Sequence, residues 1–171
     1  MPPDNILLAK DVRYDPAQGY IMLHVPFVEL PKTHEFNGVT FAAKTEFHCS
    51  LLNARVVKDA LGDTPTHTEQ HIVELTRNAL TVYPVSFVGF QNKAYHCTKE
   101  DRQSIIVLAT LNNIEPFFTM LRKELNLPDL PNPVPHVTLY TYNHPFGIGI
   151  PGKKDLVRYC QPVELSQSWR F

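Results

Sequence analysis

Two short segments place an imidazole and a hydroxyl at the same spacing: Phe47-His48-Cys49-Ser50-Leu51-Leu52 and Pro135-His136-Val137-Thr138-Leu139-Tyr140. In an extended strand successive side chains point to opposite faces, so His48 and Ser50 share one face while Cys49 and Leu51 share the other. His136 and Thr138 pair in the same way. One face of each strand then carries chemistry and the opposite face packs. Strands lying side by side would bring two imidazoles and two hydroxyls to one spot. Histidine titrates near neutrality, so one ring can accept a proton from water or a ribose hydroxyl while the other donates to a leaving oxygen. The hydroxyls can hold the non-bridging oxygens of a phosphate as charge builds on them.

The elements around these segments read as alternating sheet and helix. Residues 20–28, bounded by Gly19 and closed by Pro31, predict a strand, and Val39-Thr40-Phe41 a short second one within a connection over 36–44. After the first His-Cys-Ser strand, Asp63, Thr64, Thr66 and Thr68 offer helix N-caps. Ile72, Leu75, Ala79 and Leu80 give the helical stripe through about residue 80. Residues 81–90 predict a strand, Gln91-Asn92-Lys93 a turn, and 94–98 its hairpin partner. Ile105-Ile106-Val107-Leu108-Ala109 has the unbroken apolar character of a buried central strand. A helix is predicted over 114–126, where Phe117, Leu121 and Leu125 recur at four-residue spacing before Pro128 and Pro131. The proline-rich run 128–135 is a rigid lead-in to His136, because each proline fixes φ. A turn-rich loop over 143–152, a short helix over 153–160 and a closing strand around 163–169 complete the chain. The pattern predicts an α+β fold: an arm or lid over 1–18, then one domain over 19–171.

The 16 basic and 17 acidic residues give a formal net charge of -1. No strong field draws such a chain to duplex DNA or an anionic membrane, and a nucleotide or short oligonucleotide fits better. Three widely spaced cysteines without a C-x-x-C pair argue against a disulfide framework or a thiolate zinc site, and for a reducing compartment. No basic region followed by an apolar core opens the chain, and no run of about 18 apolar residues occurs. The expectation is a soluble, cytoplasmic protein, with a monomer the simplest assumption.

The paired segments resemble the signature of the two-histidine (2H) phosphoesterase superfamily, which includes 2′-5′ RNA ligase-like proteins and RNA cyclic phosphodiesterases. Its mark is two copies of H-x-[ST]-x on neighbouring strands. The resemblance implies a bilobal α+β fold, two antiparallel-sheet lobes around a central cleft with flanking helices. It also implies cleavage of 2′,3′-cyclic phosphates, or of 2′-5′ and related phosphodiester bonds in linear or cyclic oligonucleotides, without metal or cofactor. His48 and His136 would be acid and base, in either order, and Ser50 and Thr138 phosphate donors. A cleft that binds a nucleotide or RNA end without turnover, as a sensor or sponge, is the alternative.

The chain departs from some members two places after the second leucine, where a basic residue is replaced within Tyr140-Thr141-Tyr142. Electrostatic help would have to come from Lys44, Arg55, Lys153 or Lys154, each otherwise a solvated surface charge. If the strand continues, Tyr140 and Tyr142 share the face of His136 and can stack on a base, with core packing as the other role. Phe146, beside Gly147-Ile148-Gly149, can cap the pocket from a mobile loop. His24 reads as structural. His96-Cys97-Thr98 repeats the tripeptide but runs into Lys99-Glu100, which a central strand does not hold. His67 and His71 have zincin spacing, but Thr68 stands where a catalytic glutamate belongs. Strand alternation turns Cys49 away from His48, against a cysteine nucleophile.

Overall fold

The computed structural model describes residues 5–26, 28–62 and 64–171. Phe27, expected in the first strand, and Asp63, an expected N-cap candidate, lie outside the described residues. The fold is α+β, with two antiparallel sheets and, among the described residues, four helices. One sheet has four strands in the order β1-β2-β3-β6: Ile6–Ala9, Val12–Tyr14, Tyr20–His24 and His48–Asn53. The other has six. Its order is β10-β7-β8-β9-β5-β4, with β4 Thr33–Phe36, β5 Val39–Ala43, β7 Ser86–Lys99, β8 Arg102–Asn112, β9 His136–Tyr142 and β10 Cys160–Val163. The helices are α1 Ala54–Leu61, α2 Glu69–Val82, α3 Ile114–Glu124 and α4 Lys153–Tyr159. None is long and apolar enough to cross a membrane.

The chain divides into two compact units, one from the described residues of 1–24, 50–88 and 111–132, the other from those of 25–49, 89–110 and 133–171. In the first, α2 packs on α1 and α3. Ile72, Leu80, Phe117, Phe118 and Leu121 are all buried, each contributing about 1.5–3 kcal/mol. Thr68 is the N-cap of α2, its hydroxyl accepting from the His71 amide at 3.1 Å. The expected arm instead contributes β1 and β2, which pair as a hairpin because Val12 and Tyr14 bury one face.

Gly19 sits at the turn into β3 with φ of +83°, and its carbonyl accepts from the Ala54 amide at 2.8 Å. A Cβ there would lie 2.8 Å from Asn53 Oδ1 and 2.9 Å from Arg55 Cγ. Asn53 Oδ1 caps α1 by accepting from the amides of Arg55 and Val56. Gly19→Ala therefore combines a left-handed backbone penalty with overpacking, and urea denaturation is expected to show a loss of about 3 kcal/mol.

Three sequence expectations fail in the six-stranded sheet; the closing strand, expected around 163–169, is β10 at Cys160–Val163, directly after α4. Gln91-Asn92-Lys93 is no turn, since β7 runs unbroken through it. The reversal comes at Glu100, whose φ of 57° supplies the left-handed residue, so 86–99 and 102–112 are long strands. The cysteines also pair. β10 lies against β7 with Cys160 directly opposite Cys97, and the two form a disulfide. A register between strands 63 residues apart leaves no trace in local spacing. Cys49 is free and buried, and desolvation pushes its thiol up to about 12.

Candidate active site

Both histidine strands alternate as their sequences require. In β6, Cys49 and Leu51 are buried while His48 and Ser50 are half-buried; in β9, Val137 and Leu139 are buried while His136 and Thr138 are half-buried. The strands are not neighbours in one sheet, however. β6 is the last strand of the four-stranded sheet and β9 is internal to the six-stranded one. His48, His136 and Thr138 fall in the same compact unit, and Ser50 falls in the other. Within the former, the Lys44 amide donates to the Leu139 carbonyl at 2.8 Å. Lys44 is thus bonded to β9 three residues from His136, and the chain reaches His48 four residues later.

His136 is fixed by backbone. Its Nδ1 lies 2.8 Å from the Val134 carbonyl oxygen. A carbonyl only accepts, so Nδ1 carries the proton and a neutral ring keeps its lone pair on Nε2. Burial lowers the pKa from the ordinary 6.5, and bonding to the Val134 and Ile148 backbones offsets this in part. The ring is therefore neutral at pH 7 and can accept a proton.

The loop over 143–152 lies against the same face. A Cβ on Gly147 would fall 2.5 Å from Thr138 Oγ1 and 3.4 Å from its Cγ2, so neither branch of the threonine could turn away. The sequence suggested mobility for this glycine; its structural role is close approach. Gly147→Ala must displace the loop or Thr138, and is expected to cost about 1–3 kcal/mol in a denaturation experiment. Lys44 Nζ donates to the Pro145 carbonyl at 2.8 Å, fixing the loop and bringing one cation to this region. Phe146 is 48% exposed, its ring tilted against that of His144 with 5.2 Å between centroids.

The expected tyrosines are re-aimed. Opposite β8, His136 pairs with Leu108 and Thr138 with Ile106, but Tyr140 pairs with Ile105 and Tyr142 with Gln103. The extra residue is Leu139, a β-bulge that moves both tyrosines to the other face of the sheet. Tyr140 is completely buried there: its hydroxyl donates to the Pro31 carbonyl at 3.0 Å, and its ring meets His34 and Trp169. It packs, and offers no surface on which a base can stack. Tyr142 is 39% exposed and contacts Phe41 on that second face. His96 lies there too, bonded to Gln103 at 2.8 Å.

Arg55 is also committed elsewhere. Nε meets Glu69 Oε2 at 3.2 Å, and the remaining nitrogens donate to the carbonyls of Ala17, at 2.7 Å, and Pro16. The Tyr14 hydroxyl donates to the same Glu69 carboxylate, and burial with that carboxylate pushes Tyr14 up to about 12. Arg55 thus ties the turn before Gly19 to α2. A cavity of about 410 Å³ beside it is bordered by Tyr14, Glu69, Glu74 and Arg77, whose charges are already paired. Neither His48 nor His136 lines it. Among the described residues, no group of three or more His, Cys, Asp or Glu side chains is arranged to hold a metal ion.

The residues that sequence reasoning missed are Val134 and Ile148, which act through backbone atoms and so leave no side-chain signal. Searches of family models, curated proteins and solved structures return no match to this chain.

Proposed function

We propose that this protein is a phosphodiesterase of the two-histidine type, hydrolysing 2′,3′-cyclic phosphates or 2′-5′ or 3′-5′ linkages in short linear or cyclic oligonucleotides without a metal. The observation that carries the reading is His136. A neutral ring with Nδ1 bound to a backbone carbonyl presents Nε2 as a base, beside a hydroxyl on the same strand face, and β6 repeats that alternation at His48 and Ser50. The two antiparallel sheets and two compact units support the finer, bilobal 2H-type fold within the same reading.

In this mechanism His136 Nε2 takes a proton from water as the water oxygen bonds to phosphorus. The His48 imidazolium gives its proton to the ribose oxygen as the old P–O bond breaks, leaving a phosphomonoester and a free hydroxyl. Thr138 donates to a non-bridging oxygen. Lys44 adds positive charge. The protein works as a cytoplasmic monomer on this reading.

The pH dependence follows from the depressed pKa of His136. The ring is a base only above its pKa, so the acid limb of kcat/KM is expected below pH 6.5. Its contribution to stability is present above that ordinary value and lost as pH falls through the folded-state pKa. A pH–rate profile and an NMR titration of His136 check both.

The direct test incubates the protein with nucleoside 2′,3′-cyclic phosphates and with linear and cyclic 2′-5′ and 3′-5′ oligonucleotides in the presence of a chelator. Product formation supports the proposal. Tight binding with no product from any of them makes the protein a binder, and activity abolished by the chelator removes the two-histidine mechanism.

A further inference from the structure

We infer that the Cys97–Cys160 disulfide is a redox latch on the segment lying against His136 and Thr138, closed when oxidised and released by a dithiol reductant. The inference rests on the function proposed above and adds its regulation. The two cysteines belong to the same buried cluster as Ile106, Leu108, Ile148 and Ile150. Ile106 and Leu108 are the β8 partners of Thr138 and His136. Ile148 and Ile150 belong to the loop that places Gly147 on Thr138 and the Ile148 backbone on the His136 ring. One cluster therefore holds the crosslink, the floor of the site and the loop.

Around Cys160 itself the non-covalent anchors are Leu156 and Tyr159, which are only partly buried against this cluster. α4 buries no residue completely and has no side-chain N-cap, and Val157 is 83% exposed. β10 is a four-residue edge strand containing Pro162, which cannot donate to the ladder. The covalent bond at Cys160, the C-cap of α4, joins residues 63 apart and adds a covalent restraint to the short β10–β7 pairing and the partly buried side chains of α4. On reduction, a thiolate of the dithiol attacks one sulfur to give a mixed disulfide. Its second thiol then displaces the protein sulfur. Two electrons and two protons pass to the protein, Cys97 and Cys160 become thiols, and the dithiol leaves as its own disulfide. A reducing cytoplasm would hold the latch open and an oxidative challenge would close it.

Amide exchange over residues 146–150 and acylation of His136 by diethyl pyrocarbonate test this in the full chain, with free thiols counted alongside. Neither readout uses turnover, so loss of the phosphodiesterase reading leaves them standing. Dithiothreitol is expected to expose two new thiols and to raise both rates about tenfold or more, while residues 105–108 keep their protection. A Cys97→Ala/Cys160→Val variant, which preserves apolar packing, is expected to match the reduced protein without reductant. Unchanged rates with both thiols exposed would overturn the inference. So would a parallel loss of protection over 105–108, which would make the disulfide a staple for the whole unit.

Discussion

Replacing His136 with alanine is expected to lower turnover of a nucleoside 2′,3′-cyclic phosphate by about 10² to 10⁴, the range lost with a general base. The fold should survive. His136 is half-buried at the start of β9, and the strand is held by Val137, Leu139 and the ladder to β8. What is lost is a ring whose neutral form is favoured by burial and whose tautomer is set by the Val134 carbonyl. Because Thr138 remains, the variant should still bind substrate, so the loss appears in kcat more than in KM. Equal turnover in variant and wild type would remove His136 from the chemistry.

His48→Ala is expected to cause a loss of the same order, and the double variant little more than either single one, since an acid and a base that act on one phosphate fail as a unit. Multiplicative losses would assign the two rings to independent roles. Cys49→Ala is the control on the opposite face of β6. Its thiol is buried and pushed up to about 12, so that variant is expected to lose stability through a small cavity and keep its activity. Assays of turnover and denaturation on the same four proteins separate these outcomes.

The alternation that places His48 with Ser50 and His136 with Thr138 was legible in sequence because it depends only on strand geometry, and both strands obey it. Faces beyond Leu139 were not. A bulge is a property of two paired strands, and nothing local to Tyr140-Thr141-Tyr142 announces that one extra residue turns the tyrosines to the other face. The helices over 69–82 and 114–124 followed from caps, apolar periodicity and the prolines beyond, whereas α1 begins immediately after β6 and buries only Ala54 and Val57. Gln91-Asn92-Lys93 has turn composition, yet long strands tolerate polar residues where one side faces water. The roles of Arg55, Cys97 and Cys160 depend on partners 14 to 63 residues away and were invisible to any window along the chain.

A crystal structure with a product nucleotide, a nucleoside 2′- or 3′-phosphate, tests the central claim most directly. The expected result is one phosphate within hydrogen-bonding distance of both the His48 and His136 rings, with the Thr138 hydroxyl on a non-bridging oxygen. A phosphate bound by one ring alone, with the other in a separate region, would contradict it.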